Sequence, residues 1–172
     1  VTVETEEMTF SELRDSVERN FRHVAESKNL MLHTARSSDL PNAFITDPKR
    51  LQQILKNLLS NAFKFTSVGH VSMRVRRADD GWTPDHPMLS RAQGVISLSI
   101  TDTGIGIPPE KQRIIFEAFQ QADAGTSRKY GGTGLGLAIS RELATLLGGE
   151  IRLSSVPSQG STFTLYLPLT YA

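Results

Sequence analysis

The sequence predicts an α+β two-layer sandwich, in which helices cover one face of a mixed, mostly antiparallel sheet. Helical and strand-like segments are roughly balanced along the 172 residues, with no internal repeats. Three pairs of strand-like segments follow one another as hairpins, and this order argues against a doubly wound parallel sheet. The length suits one domain with a short appendage, and it is sufficient to bury a core without disulfides.

Composition narrows the class of protein. The chain has no Cys, which excludes a disulfide framework, a thiolate metal site and a Cys nucleophile. With 19 Lys+Arg against 18 Asp+Glu, there is no electrostatic case for nucleic-acid binding. Apolar runs are only a few residues long, and the N-terminal VTVETEEMTF is not a signal peptide. We therefore expect a cytoplasmic domain, and the absence of an initiator Met suggests a piece of a longer protein.

The first segment, residues 1–10, alternates apolar and polar residues and is predicted to be a lead-in strand from an upstream module. The domain itself is expected at 11–172. Ser11 is predicted to cap a helix that runs to about Asn29, with acidic residues in its first turn. The apolar face of this helix falls at helical spacing, at Leu13, Val17, Phe21, Val24 and Ala25.

Two short strands, Leu30–Thr34 and Ala43–Thr46, precede a second helix. This helix is predicted to begin with Asp47 as N-cap and Pro48 at the first helical position. Its apolar face consists of Leu51, Ile54, Leu55, Leu58, Leu59 and Ala62.

A hairpin is predicted from strands His70–Arg77 and Val95–Thr101. Residues 79–93 join them without periodicity and with two prolines, which predicts an exposed loop. This loop could be a docking surface or an inert insertion.

The remainder of the chain is predicted to begin with an irregular, Gly-rich stretch that contains one short helix at about 109–119. A third long helix begins around Leu137–Ser140, continues through Ser140–Leu147 and ends at two glycines. The last two strands are predicted at Glu150–Ser155 and Ser161–Leu167, joined by a Pro-Ser-Gln-Gly turn.

The second helix carries a polar stripe beside its apolar face. At 100° per residue, Asn57, Asn61 and Lys64 fall within an arc of about 60°. An amide oxygen can bind Mg²⁺, and a Lys can contact phosphate. A solvated helix edge is the simpler interpretation of the stripe taken alone.

Asp102 shares a strand face with Ile96, Leu98 and Ile100, so its carboxylate is expected to point to the same side of the sheet as the core residues. A buried carboxylate needs hydrogen-bond donors. Gly104 and Gly106 follow and allow a close backbone approach, which suits the flat edge of a base with Asp102 accepting from an amino group. The alternative is an Asp that caps the following turn.

A third candidate is the run Gly131–Gly136, which directly precedes a helix. Backbone N–H groups and the helix dipole make such a run a candidate anion site. The preceding residues are polar rather than a buried strand, which argues against a dinucleotide-binding turn. The motifs of a P-loop and of a protein kinase are absent.

The order of these three sites resembles the GHKL family of ATP-binding domains, and most closely the catalytic domain of a sensor histidine kinase. The resemblance implies the Bergerat fold. The family's five sequence boxes are matched by Leu51–Thr66, Asp102–Ile107, Ile115–Phe119, Gly132–Leu137 and Gly160–Phe163. Residues 119–132 look most like bacterial hybrid sensor kinases.

The resemblance implies ATP and Mg²⁺ as cofactors. Asn61 would hold Mg²⁺ and Lys64 would touch a phosphate, while Phe65 and Ile107 would pack near the adenine. Asp102 would accept from the adenine N6 amino group. Gly132, Thr133, Gly134, Leu135 and Gly136 would wrap the phosphates, and Thr162 would lie behind Asp102. A lid over the phosphates is expected at about 120–133. The remaining candidate cofactor-binding residues are Gly104 and Gly106, for their close backbone approach, and Lys129, for its positive charge beside the Gly-rich run.

The family resemblance also separates kinases from ATPases at one position. Its ATP-hydrolysing members carry a Glu four residues before the Mg²⁺-binding Asn, and this chain has Asn57 there. A carboxamide cannot act as a general base near pH 7. Asn57, Asn61 and Lys64 are therefore expected to serve phosphoryl transfer by positioning and charge neutralisation rather than hydrolysis.

The resemblance implies partners outside the chain. None of the four His residues has the sequence context of a phosphoacceptor. The acceptor is expected on a helical hairpin of the same or the partner subunit, upstream of Val1, and a response-regulator receiver is expected downstream. The parent would be a homodimer that could be anchored in the inner membrane, and the fragment a monomer without nucleic acid. Competing interpretations are an ATP-driven clamp, a nucleotide-sensing pseudokinase and an anti-sigma-type serine kinase.

Overall fold

The computed structural model describes residues 2–104 and 135–171. Within these ranges there are three α-helices, a 3-10 turn at Leu89–Arg91 and seven strands. The helices are α1 (Phe10–Ser27), α2 (Pro48–Phe65) and α3 (Leu135–Leu146). The strands are β1 (Glu6–Thr9), β2 (Met31–Arg36), β3 (Ala43–Thr46), β4 (His70–Ala78), β5 (Val95–Asp102), β6 (Glu150–Val156) and β7 (Gly160–Pro168).

Five of the strands form one mixed sheet in the order β2-β4-β5-β7-β6. Only β2 and β4 run parallel, and the other three pairs are antiparallel. The predicted hairpins β4–β5 and β6–β7 are both present, and β5 is the central strand. The predicted mixed, mostly antiparallel sheet is confirmed.

The three helices cover one face of this sheet. The alternate residues Ile96, Leu98 and Ile100 of β5 are at most 1% exposed and join a core shared with all three helices. The opposite face, here called the outer face, carries paired hydroxyl groups. Ser99 bonds Thr164 across 3.1 Å, and Thr101 bonds Thr162 across 3.0 Å. The sheet is therefore apolar toward the helices and polar on its outer face, as a half-covered antiparallel sheet should be.

The N-cap of α1 lies two residues before the predicted one. Thr9 is the N-cap, and its hydroxyl accepts from the Glu12 N–H at 3.1 Å. Thr9 and Glu12 have the Thr-x-x-Glu spacing of a capping box, whereas Ser11 has Arg14 at the corresponding position. The expectation for Ser11 was wrong for this reason.

Helix α2 begins as predicted, with Asp47 as N-cap and Pro48 in the first turn. The Asp47 carboxylate accepts from the backbone N–H groups of Arg50 and Glu4 and from the Arg50 guanidinium. Burial by itself would raise the pKa of Asp47, but these donors outweigh it and hold the pKa below its ordinary value. Arg50 also donates to the Thr2 carbonyl, so the segment before β1 is tied to the start of α2.

A second, smaller sheet lies at the start of α2. Strand β1 pairs antiparallel with β3. Residues 169–171 run along β3 as well, because Ile45 N–H donates to Leu169 O and Tyr171 N–H donates to Ile45 O. Strand β3 is thus held by the N-terminal segment on one edge and by the C-terminal segment on the other.

Residues 79–93, here called the strap, do not extend into solvent as a free loop. Trp82 packs edge-on against Tyr166 of the outer face, with ring centroids 5.9 Å apart. The Thr83 backbone N–H and hydroxyl both donate to the Glu150 carboxylate at 3.0 Å. Leu89 is 1% exposed. The sequence prediction of an exposed hairpin loop is confirmed for most of the strap, in which Leu89 is buried and Trp82, His86 and Ala92 are half-buried.

Candidate functional site

The polar stripe on α2 is present in the structure. Asn57 and Asn61 are half-buried and Lys64, in the last turn, is exposed. The Asn61 side-chain NH₂ donates to the Asn57 backbone carbonyl at 3.0 Å. This bond fixes the orientation of the Asn61 amide and directs its oxygen, a hard acceptor of the kind that Mg²⁺ prefers, away from the helix backbone.

The Asn57 side chain makes a different contact. Its NH₂ donates to the hydroxyl of Ser140 on α3 at 3.1 Å. Ser140 is fully buried. Asn57 therefore joins two helices, a contact that the sequence did not predict.

Asp102 lies at the end of β5 and is 5% exposed. Its carboxylate accepts from the backbone N–H group of Gly104 at 2.9 Å. Burial raises the pKa of Asp102 above its ordinary value, although the nearby backbone N–H groups of Gly104 and Ser161 act to lower it. The prediction that the Asp102 carboxylate points to the core side of β5 is therefore confirmed. A further hydrogen-bond donor from a ligand would offset part of the cost of burying its charge.

Gly104 passes directly against the C-terminal end of α2. A Cβ atom at this position would lie 2.2 Å from the Phe65 carbonyl oxygen and 3.0 Å from Asp102 Oδ1. On the other side of Asp102, a Cβ at Gly160 would lie 2.1 Å from the Asp102 carbonyl oxygen. Because Gly160 also has a φ of +109°, both glycines are needed for backbone to close around Asp102.

Thr66 follows Phe65 at the C-cap of α2 and is fully buried. Among residues 2–104 and 135–171, no group forms a hydrogen bond with its hydroxyl. A buried hydroxyl without a partner is costly, and a bound molecule is one way of supplying that partner.

The strand register corrects one predicted site residue. Asp102 is opposite Ser161 in the β5–β7 ladder, while Thr162 is opposite Thr101 and bonds it on the outer face. Since successive residues of a strand point to opposite faces, Thr162 is directed away from the Asp102 carboxylate. Ser161 is the residue on the Asp102 side, and counting the period from Phe163, which points into the core, would have found it.

A second contribution that sequence reasoning missed comes from α1. The Lys28 ammonium donates to the Phe63 carbonyl in the last turn of α2. A cation there satisfies a terminal carbonyl and complements the helix dipole. The α2 end that carries Lys64 and Phe65 is thereby fixed from a distant part of the sequence.

The structure brings Asn61, Phe65, Asp102 and Gly104 to one end of the α2–β5 layer. Leu135 and Gly136 begin α3. Six predicted site residues lie outside the described ranges: Gly106, Ile107, Lys129, Gly132, Thr133 and Gly134. The predicted short helix at 109–119 and the predicted lid at 120–133 also lie outside them.

Comparison with known proteins identifies the family. The profile of the histidine kinase-, DNA gyrase B- and HSP90-like ATPases matches residues 46–171. The chain belongs to this ATPase family. The ATPase-family domain is 43% identical over 155 residues to the signal transduction histidine-protein kinase BarA of Escherichia coli (strain K12). The aligned residues make up 90% of this chain and 16% of the relative. It is 48% identical over 128 residues to the circadian input-output histidine kinase CikA of Synechococcus elongatus, 74% of this chain and 15% of the relative.

Solved structures agree with this family assignment. Full-length ShkA in complex with AMPPNP superposes with a TM-score of 0.79 at 31% identity, over all of this chain and 32% of that one. The catalytic domain of the histidine kinase ThkA gives a TM-score of 0.75 at 25% identity, over 97% of both chains. The chain spans about a sixth of the length of the curated relatives, but almost the whole of that catalytic domain. The predicted fold and the histidine-kinase resemblance are confirmed.

The residues present in the ATPase-family domain fit ATP. The buried Asp102 carboxylate and the Thr66 hydroxyl are two polar groups in an apolar layer, and the amino edge of adenine offers a donor to the first. Among the described residues no group of three or more His, Asp or Glu side chains could hold a metal by itself. Mg²⁺ would therefore depend on Asn61 together with the nucleotide phosphates.

None of the helices in the described ranges is long and apolar enough to cross a membrane.

Proposed function

We propose that this domain binds ATP with Mg²⁺ and donates the γ-phosphate to a histidine on a helical hairpin that is not among its 172 residues. In this transfer the bond from the γ-phosphorus to the β–γ bridging oxygen breaks and a bond to an imidazole nitrogen forms. ADP leaves, and the imidazole loses its N–H proton to solvent. The names of the relatives, which are sensor histidine kinases, support this class of reaction.

The observation that carries the proposal is the chemistry of the α2 polar stripe. Helix α2 contains no Asp or Glu at all, and Asn57 occupies the position where a base would have to stand. An amide does not take up a proton near neutral pH, so no group on this stripe can activate water. A site that holds ATP without activating water suits transfer to a stronger nucleophile that another module supplies.

The site residues have separate tasks in this proposal. Asp102 accepts from the adenine amino group, which selects adenine over guanine because guanine carries a carbonyl at that position. Asn61 holds Mg²⁺ through its amide oxygen, and Lys64 contributes charge to a phosphate. Bound Mg²⁺ supplies neutralisation of the phosphate charge.

The proposal includes the wider assembly. The acceptor hairpin belongs to the same or the partner subunit of a homodimer, and a receiver domain takes the phosphate onward. The relatives' names support signalling of this kind, and a location in the cytoplasm follows from the use of ATP. Residues 1–10 connect the catalytic unit of residues 11–172 to the acceptor module, and through β1 and Phe10 they also pack onto that unit.

The test is calorimetric titration of the 172-residue chain with ATP and with GTP, each with and without Mg²⁺, together with measurement of phosphate release. We expect Mg²⁺-dependent ATP binding, weak GTP binding and negligible hydrolysis. Asp102→Asn should weaken ATP binding by about 10- to 100-fold, the value of a hydrogen bond to a charged group, without unfolding the domain. Asp39→Asn changes an exposed acid and is the matched control.

Three results would overturn the proposal. Rapid hydrolysis would make the domain an ATPase with an unidentified base. Equal affinities for ATP in wild type and Asp102→Asn would remove Asp102 from the adenine site. The transfer itself is tested with radiolabelled ATP and a purified acceptor hairpin from BarA, and failure to label that histidine while ATP is bound would refute the donor role.

A further inference from the structure

Helix α3 presents one buried face to the rest of the domain, and this face contains one polar residue. Leu137 and Ala144 of α3, and Leu147 directly after it, are at most 5% exposed and belong to the core. Ser140 lies between them in helical phase and is fully buried. Its hydroxyl meets the Asn57 side-chain NH₂ at 3.1 Å.

Stability gives little reason for a hydroxyl at this position. A buried hydroxyl loses its hydration, and a hydrogen bond to a neutral group roughly offsets that loss. Ala144, one turn later on the same face, shows that this contact surface accepts a methyl group. What a polar pair adds to an apolar interface is a unique register, because only one rotation and one axial position of the helix make the bond.

The pair continues into the predicted metal site. The side-chain NH₂ of Asn57 donates a hydrogen bond to the Ser140 hydroxyl, and the backbone carbonyl of Asn57 accepts one from the Asn61 side chain at 3.0 Å. Two hydrogen bonds therefore connect α3 to the amide of Asn61. A movement of α3 along or around its axis would break the first bond and change the surroundings of Asn61.

We propose that Ser140 is a positioning residue, which acts through Asn57 to hold α3 in register with the amide of Asn61. This inference rests on the proposed function, since it concerns the Mg²⁺-dependent part of ATP binding. Neither Ser140 nor Asn57 then needs to touch the nucleotide. Asp102 lies outside this chain of bonds, so binding of the adenine without Mg²⁺ does not depend on Ser140.

The experiment measures the ratio of the ATP dissociation constants without and with Mg²⁺ in wild type, Ser140→Ala, Asn57→Ala and the double variant. We expect each single variant to reduce this ratio by about fivefold, as the loss of one neutral hydrogen bond should. The double variant should lose no more than either single one, because both remove the same link. ATP affinity without Mg²⁺ should stay within twofold of wild type in Ser140→Ala.

Two controls separate positioning from stability. Ser97→Ala removes a buried serine hydroxyl on the outer face and should leave the ratio unchanged. Ser140→Thr retains the hydroxyl and should restore the ratio to at least half of the wild-type value. Circular dichroism of each variant reports folding, and Asn57→Ala, at a half-buried position, tests the same bond should Ser140→Ala fail to fold.

The outcomes are distinct. Failure of wild type to bind ATP contradicts the proposed function. Normal binding by wild type with an unchanged ratio in Ser140→Ala contradicts the positioning role alone. Additive losses in the double variant also contradict it, since Asn57 and Ser140 would then act independently.

Discussion

Ser161 is directly opposite Asp102 in the β5–β7 ladder, and its backbone N–H is close enough to the Asp102 carboxylate to favour the ionised form. The side chain of Ser161 is on the same face, 6% exposed, with its hydroxyl 2.8 Å from that of Ser155. The neighbouring Thr162 points to the outer face. Two adjacent residues of one strand should therefore differ sharply in their effect on nucleotide binding.

Ser161→Val and Thr162→Val test this difference, because both introduce a β-branched residue that strands accept. Ser161→Val places bulk beside Asp102 and should weaken ATP binding at least tenfold. Thr162→Val loses the bond to Thr101 and should leave the ATP dissociation constant within twofold. Calorimetric titration measures both, and a large loss in Thr162→Val alone would show that the nucleotide lies on the outer face instead.

Gly104→Ala should impair both ATP binding and stability. Its Cβ would collide with the Phe65 carbonyl, so the backbone must shift away from α2 and carry the Asp102 hydrogen bond with it. We expect at least a tenfold loss of ATP affinity and a loss of folding free energy of about 1–3 kcal/mol. Gly94→Ala is the control, since its Cβ meets only side-chain atoms, at 3.2 Å and beyond. Equal affinities in the two variants would contradict the close approach of Gly104.

Asp47→Ala should destabilise the domain in a pH-dependent way. The loss of the N-cap and of the bonds to Glu4 and Arg50 should cost about 1–2 kcal/mol at pH 7. Since the pKa of Asp47 is lowered in the folded state, its contribution is complete above the unfolded-state value and disappears as the pH falls through the folded-state value. Urea unfolding from pH 7 down to pH 3 should thus show the stability difference between wild type and variant shrinking toward the acid end of the range.

Asp15→Ala, which removes an exposed acid from α1, controls for a general effect of charge. A difference between wild type and Asp47→Ala that is constant across this pH range would mean that the ionised carboxylate is not what stabilises α2.

The strap is expected to contribute to stability and not to nucleotide binding. Trp82→Ala removes the contact with Tyr166 and should cost about 1–2 kcal/mol of unfolding free energy. ATP affinity should be unchanged, because the strap lies on the outer face and Asp102 on the other. Gln93→Ala is an exposed control in the same segment. Wild-type stability in Trp82→Ala combined with lost phosphotransfer would favour a docking surface after all.

The fold was largely predictable because hydrophobic period and turn residues specify it locally. The alternation of Ile96, Leu98 and Ile100 predicted both the strand and the burial of Asp102. The Asp47–Pro48 pair predicted the start of α2 to the residue. Thr9 was missed because Thr9 and Ser11 are both candidate N-caps. Only Glu12, three residues after Thr9, distinguishes the two, because it completes a capping box with Thr9.

The site was predictable where chemistry follows from spacing along one element, as on α2. It was not predictable where two distant elements meet. Nothing local in the sequence pairs Ser140 with Asn57, 83 residues away, or Lys28 with the end of α2. Trp82 likewise looked solvent-exposed because its partner, Tyr166, is contributed by a strand near the other end of the chain.

The small sheet at the start of α2 has a mechanical consequence. Strand β3 is flanked by β1 on one edge and by residues 169–171 on the other, so both flanks of the domain converge on four residues. Tension applied between the two flanks would load the pairing of β3 with both of them. The residue after β3 is Asp47, so such a pull would also be transmitted to α2, the helix of Asn57 and Asn61.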